Sequence, residues 1–370
     1  MNMKVPFIDL KARFIEEKDE LLSAVNKVLS QGSLVLTNEL KEFEEDVQQY
    51  TKAKYCIGLN SGTDALMMGL WACGIKKGDE VIQPAISFIA TAGATVHVGA
   101  KPIFCDVRSD GLIDPEKIEE KITNNTKAIM PVHWAGKMCD MDQICRIANK
   151  YNLKVLEDSA QAMGSYYKGK HGGLFGECGS ISCHPLKNLN AVGDGGLLLT
   201  DNSEIANKVK LYRNHGLLSR DNVVSFGVNS RLDVIHAEIL KFRLKKLDNV
   251  IERRRNNANL YRKLIRTDEV FIPEEKTDEG YIDSYVMFIV QAENRDKLKE
   301  FLAKQGIETL IYYGTPLHLH EASRKLGYKE GDFPVAEMQC EKVLALPHNQ
   351  NISEKEIDYV SSKVNEFYGK

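Results

Sequence analysis

Lys187 sits within SISCHPLKNLNAVGDGG, residues 180–196, between a short apolar run and a glycine-rich turn. An amine there is a candidate nucleophile toward a carbonyl carbon, provided its surroundings lower its proton affinity. Other loop positions carry complementary groups. Asp158 ends the apolar run LKVLED, where a buried carboxylate requires a cation or strong donors. Gln161 follows it and offers an amide. Ser61, Gly62 and Thr63 open a helical pattern after YCIGLN, and a hydroxyl beside free backbone N–H groups suits a phosphate. Ser182 precedes Lys187, and Phe88 follows DEVIQPAIS. Each also has a plain structural reading: Ser61 or Thr63 as a helix cap, Phe88 as core, Asp158 as a loop acceptor, Ser182 as a strand serine, Lys187 as a surface charge. Together they match one ligand, a phosphorylated pyridine aldehyde, pyridoxal 5'-phosphate. Thr63 and Ser182 would take the phosphate, Asp158 the protonated ring nitrogen, Gln161 the ring hydroxyl and Phe88 the ring face. Lys187 would condense with the aldehyde.

Such groups need a frame that delivers several loops to one edge. Apolar, β-branched runs alternate with helical patterns: YCIGLN before SGTDALMMGLWACG, DEVIQPAIS before FIATAGATVHVG, KPIFCDV before DPEKIEEKI, TKAIMPVHW before DMDQICRIANKYN, then LKVLEDSA. This alternation predicts an α/β fold, a large domain with a mostly parallel central sheet covered by helices, with ligands beyond the carboxyl ends of the strands. GSISCH and GLLLT follow close together around Lys187. A charge-rich helical stretch from about 233 to 265 leads away from this unit. SYVMFIVQAE, RDKLKEFLAKQG, IETLIYY, KVLALP and SEKEIDYVSSKVNEFY then form a smaller carboxyl-terminal α+β unit. The expected division is residues 1–245 and 246–370.

A chain of 370 residues is long enough for two domains. A hydrophobic fraction of 43%, a charged fraction of 27% and a net charge of −3 are those of a soluble globular protein. Without a basic run, neither nucleic acid nor a membrane surface is an expected partner. No window approaches a membrane-spanning apolar run, and the first residues lack the apolar core of a signal peptide. The eight cysteines form no C-x-x-C pair and no zinc spacing; they read as reduced thiols of a cytoplasmic protein without a metal. GDGG lies late in the sheet pattern and makes no G-x-G-x-x-G behind the first strand, which argues against a dinucleotide site.

The motifs FIDLKA, NSGTDAL, GDEVIQPAISFIATAGA, GAKPIFCDV, KAIMPVHWAG, LEDSAQAMGSYYKGK, SCHPLKNLNAVGDGG, LYRNHG and GVNSRLDVIHAEIL occur in this order. In them the sequence resembles the DegT/StrS family of sugar aminotransferases, pyridoxal-phosphate enzymes of the aspartate-aminotransferase fold, fold type I. The resemblance implies that Lys187 holds the cofactor aldehyde, Asp158 pairs with the pyridinium, and Gln161 meets the ring oxygen. It places Thr63 and Ser182 on the phosphate, with Gly62 allowing close backbone approach. Asn229 matches an asparagine that reaches the phosphate of the neighbouring subunit, which implies a homodimer with two shared sites. The implied reaction is ping-pong. Glutamate leaves its nitrogen on the cofactor as pyridoxamine 5'-phosphate, and a keto-sugar then takes it. The implied acceptor is a nucleotide-linked 3- or 4-keto-6-deoxy sugar of surface polysaccharide or lipopolysaccharide O-antigen synthesis.

Arg213 and Arg231 are candidate anion contacts, or else salt bridges or subunit contacts. His215, His318 and His320 are candidate sugar-hydroxyl contacts, or else structural histidines, and His184 lies close enough to Lys187 to meet substrate. The chain departs from the family pattern at Cys183–His184, where an aromatic pair is frequent, at Trp134–Ala135, where leucine–tyrosine is frequent, and at Tyr312, where histidine is common. These positions fall where substrate contacts are expected and leave the sugar open. A cyclitol or keto-sugar phosphate is the alternative acceptor, and a regulatory protein on the same fold is the alternative of another class. A branch that removes a C3 hydroxyl carries histidine at the lysine position, so Lys187 argues against it.

Overall fold

The computed structural model describes residues 3–32 and 34–370. Seven strands form the central sheet: β1 (Tyr55–Leu59), β2 (Glu80–Pro84), β3 (Lys101–Cys105), β4 (Thr126–Ile129), β5 (Lys154–Asp158), β6 (Cys178–Ser182) and β7 (Gly196–Thr200). Their order across the sheet is β1-β7-β6-β5-β4-β2-β3. β2 to β6 pair in parallel, while β7 runs antiparallel between β1 and β6. Both faces are apolar, as a sheet covered on both sides requires. On β7, Leu198 packs on one face with Leu59, Leu70 and Leu156, and Leu197 and Leu199 pack on the other with Phe43 and Leu240. That is the period of two expected of a strand.

The covering helices are α1 (Leu10–Gln31), α2 (Asn38–Thr51), α3 (Gly62–Ala72), α4 (Ile89–His97), α5 (Met141–Lys150), α6 (Ser203–Tyr212) and α7 (Val234–Leu244). The helix expected from DPEKIEEKI is two short 3-10 turns, Pro115–Lys117 and Glu119–Lys121. Of its apolar residues only Pro115 and Ile118 are buried, too few to anchor an α-helical face. The single helix expected over 233–265 is also two, α7 and α8 (Leu247–Leu264), broken at Lys245–Lys246. α7 packs on α1 and α2, whereas α8 packs on α11 (Glu354–Phe367), so the chain turns to change partners. α9 (Arg295–Lys304) and α10 (Pro334–Lys342) complete the helices. The carboxyl-terminal residues build a small antiparallel sheet, β8 (Val270–Phe271), β9 (Phe288–Ala292) and β10 (Val343–Leu346), in that order. Its core includes Tyr261, Phe288, Leu344 and Val360.

The central sheet gathers the site loops at one edge. β1, β2, β5 and β6 all deliver their carboxyl ends there. β7 starts at that edge because it runs the other way, so the 183–195 loop that carries Lys187 stays over it.

Candidate active site

The loop after β1 lies directly on the end of β6. Ser61 caps α3 by accepting from the Asp64 N–H at 3.0 Å. A Cβ on Gly62 would stand 3.0 Å from Ser182 Cβ, and one on Gly196 would fall 2.1 Å from the Ser61 carbonyl carbon. Only glycine permits this approach, and it sets the α3 N-terminus against Ser182 at the end of β6. The 183–195 loop is fastened at several points. Asn188 Nδ2 donates to the Ser284 carbonyl at 2.8 Å, and Asn190 Nδ2 donates to that of Pro185 at 2.6 Å. Buried Arg243 donates to the Asn190 carbonyl at 2.6 Å while pairing with Glu17 at 2.7 Å.

A cavity of about 380 Å³ opens above these loops. Gly62, Thr63, Phe88, Asp158, Gln161, Ser182, His184, Lys187 and Tyr312 all line it. Asp158 is buried and accepts from Thr91 Oγ1 at 2.7 Å and from the Ala160 N–H at 3.2 Å. Burial nonetheless raises its proton affinity, against the pull of those donors and of the Lys187 charge. Burial pushes Lys187 down to about 8, opposed by the Asp158 charge. Gln161 Oε1 accepts from the Ala135 N–H at 2.8 Å, and its NH₂ is the donor end, in reach of the Tyr313 hydroxyl. Burial, and then the Lys187 charge, lower His184.

These residues fit pyridoxal phosphate on three counts. The glycine-lined approach of the α3 N-terminus to Ser182, with Thr63 on the same cavity wall, suits a phosphate. The enclosed carboxylate of Asp158 is destabilised until a cation meets it. The Lys187 amine has lost much of its preference for a proton, as a group that attacks an aldehyde must.

Other expected residues are not brought to the cavity. Arg213 is buried, its Nη1 donating to Glu44 at 2.5 Å and to the Gly58 carbonyl at 2.8 Å. The anion-contact reading of Arg213 is thereby corrected: its charge is matched inside the fold. His318 is corrected likewise. It is buried, bonds Glu337 through Nε2 at 2.9 Å and packs edge-on to Phe333 at 4.7 Å. His215 and His320 are exposed outside the cavity. Arg231 donates to Asn214 Oδ1 at 3.0 Å, and the Asn229 carbonyl accepts from Asn60 at 3.2 Å. Sequence reasoning missed Thr91, Phe7, Ile8, Tyr313 and Asp194. Thr91 stands three residues after Phe88 on α4, a helical spacing that turns it toward Asp158. Phe7 and Ile8 belong to FIDLKA, a motif without an assigned role until the fold places it.

Fold and site together define a pyridoxal-phosphate-dependent aminotransferase. The chain belongs to the DegT/DnrJ/EryC1/StrS aminotransferase family, whose model matches residues 15–365, and is a sugar aminotransferase of that family. A "Pleiotropic regulatory protein" of Geobacillus stearothermophilus is 40% identical over 99% of this chain and 99% of its own. The dTDP-3-amino-3,6-dideoxy-α-D-galactopyranose transaminase of Aneurinibacillus thermoaerophilus is 39% identical over 98% of this chain and 99% of its own. The crystal structure of DesV from S. venezuelae superposes with a TM-score of 0.96 at 35% identity, covering 99% of each chain.

Proposed function

We propose that this protein moves the amino group of glutamate to a nucleotide-linked 3- or 4-keto-6-deoxy sugar, for surface polysaccharide or O-antigen synthesis, in two ping-pong half-reactions. The observation that carries this reading is the meeting of Lys187 and Asp158 in one cavity of about 380 Å³. Bound there, the cofactor supplies an electron sink and a temporary carrier for nitrogen. Asp158, as an anion against the ring nitrogen, keeps that nitrogen protonated. Gln161 would donate its amide to the ring oxygen, Thr63 and Ser182 would hold the phosphate, and Phe88 would cover the ring. Lys187 takes the proton from the α-carbon of the donor and delivers it to the carbon on the far side of the transferred nitrogen. An amine pushed down to about 8 is a competent base near neutral pH.

Three wider readings go with this one. The active form is a homodimer with Asn229 directed to the partner's cofactor. In support, the 217–228 segment that precedes Asn229 carries Phe226 at 99% exposure and Leu218 at 63%. The chain divides at residues 245–246, in line with the break between α7 and α8. The compartment is the cytoplasm, in line with eight free cysteines. Among the described residues, no helix is long and apolar enough to cross a membrane.

Holoenzyme incubated with glutamate and a panel of nucleotide keto-sugars, a keto-cyclitol and a keto-sugar phosphate tests the reading, with products identified by mass spectrometry and NMR. An aminated nucleotide sugar is the expected product. Amination of the cyclitol or sugar phosphate alone overturns it. The name of the Geobacillus relative favours the regulatory alternative; for a non-catalytic regulator, glutamate leaves the cofactor colour unchanged.

A further inference from the structure

The chain start crosses to the carboxyl-terminal unit and is fastened there. Val5 N–H donates to the Gly306 carbonyl at 2.9 Å, and Glu308 N–H donates to the Val5 carbonyl at 3.0 Å. Val5 pairs in parallel with Ile307 and sits in the core around β9. The Phe7 N–H then donates to Glu308 Oε2 at 3.0 Å. These bonds bring Phe7 and Ile8 to the wall of the cavity that holds Lys187. The Phe7 ring stacks on Tyr312 at 6.4 Å and 29°. Tyr312 meets Tyr313 edge-on at 5.4 Å, and Tyr313 faces Phe88 at 6.2 Å. The result is one aromatic band from the chain start to the expected cofactor ring.

We infer that Phe7 and Tyr312, held by the staple of Val5–Ile8 to Gly306–Glu308, form the wall that recognises the acceptor sugar. This rests on the sugar-acceptor reading above and names the residues that carry it. The polar cavity groups Thr63, Ser182, Asp158, Gln161 and Lys187 are committed to the cofactor. Of the remaining lining, Phe7, Ile8, Val286, Met287 and Tyr312 form an apolar side, apart from the polar groups of Ser87, His184 and Asp194. A pyranose has a C–H-rich face and a hydroxyl rim. Aromatic faces suit the first, and the Tyr312 phenol can meet the second. A dicarboxylate donor gains nothing from such a wall, because burying its charges against apolar groups is unfavourable. The band therefore discriminates between the two substrates that alternate in the site.

The ping-pong scheme lets the two roles be measured apart. Holoenzyme of wild type, Phe7→Ala, Phe7→Leu and Tyr312→Leu is mixed with glutamate alone, and the loss of cofactor absorbance is followed in a single turnover. The aminated enzyme is then titrated with the nucleotide keto-sugar that wild type turns over. The expected result is an acceptor KM raised about tenfold in Phe7→Ala and Tyr312→Leu, with the donor half-reaction within about twofold of wild type. Phe7→Leu keeps apolar bulk without the ring, so it separates stacking from folding; its acceptor KM should also rise. Equal losses in both half-reactions, or an unchanged acceptor KM in Phe7→Leu and Tyr312→Leu, overturn the inference while leaving the parent reading intact. A wild type that bleaches with glutamate but aminates no nucleotide sugar overturns the parent reading, and this inference with it.

Discussion

Lys187 and Arg213 are both cations enclosed by the fold, yet their surroundings differ. Arg213 has a carboxylate and a carbonyl on one Nη1, and the same Glu44 oxygen also accepts the Gly58 N–H at 2.8 Å. Every charge there has a partner, and the cluster ties β1 to α2. Among the described residues, Lys187 Nζ makes no hydrogen bond or ion pair, and its nearest counter-charge, Asp158, is engaged with Thr91. A satisfied buried cation is structural. An under-satisfied one facing a cavity has lost its hold on the proton and can do chemistry.

That contrast can be broken from either side. The largest effect is expected at Lys187: Lys187→Ala should lower turnover by about 10⁴-fold while the thermal transition survives. Normal turnover without added amine would assign the base elsewhere. At the other cluster, Arg213→Met strands Glu44, and chemical denaturation should show a loss of about 3–5 kcal/mol. Turnover per folded molecule should stay within about twofold of wild type, and adding Glu44→Gln should recover much of the stability. A catalytic defect larger than the folding defect would return Arg213 to the site.

Smaller changes sharpen the comparison at the cavity floor. Thr91→Val removes a donor to the Asp158 carboxylate and should weaken cofactor binding about tenfold, with Thr91→Ser restoring it. Equal affinity in all three proteins would show that Asp158 holds its charge without Thr91. The smallest effect is a pH slope. In cofactor-free protein Lys187 titrates near 8 when folded, against its usual 10.5. The unfolded chain binds more protons between those values, so stability attributable to Lys187 rises with pH across that window. Wild type minus Lys187→Met, compared by denaturation between about pH 8 and 10.5, should show that rise. A flat difference would mean that burial does not depress the amine.

The strands were legible because their residues are mostly apolar and mostly buried, and the loops that bear Thr63, Asp158 and Lys187 could be assigned to one edge from strand ends alone. The reversal of β7 was not legible. GLLLT has the same pattern in either direction, and only pairing decides its sense. The break at Lys245–Lys246 was hidden because both flanking segments keep helical periodicity while changing partners. For Arg213 and His318 the sequence left a structural and a binding reading open for a single reason. Residue type announces a charge or an imidazole, but only the fold supplies Glu44 or Glu337 to satisfy it. Thr91 and Phe7 went unseen for the converse reason: a hydroxyl and a ring acquire a role only through contacts far along the chain.

The central claim is that one under-satisfied amine, opposed by a single enclosed acid, captures the cofactor. Borohydride reduction of holoenzyme followed by proteolysis and peptide mapping tests it most directly. The account predicts that the cofactor becomes fixed to the HPLKN peptide, at Lys187 alone. Label on any other peptide, or no yellow chromophore in cofactor-saturated protein, would contradict it.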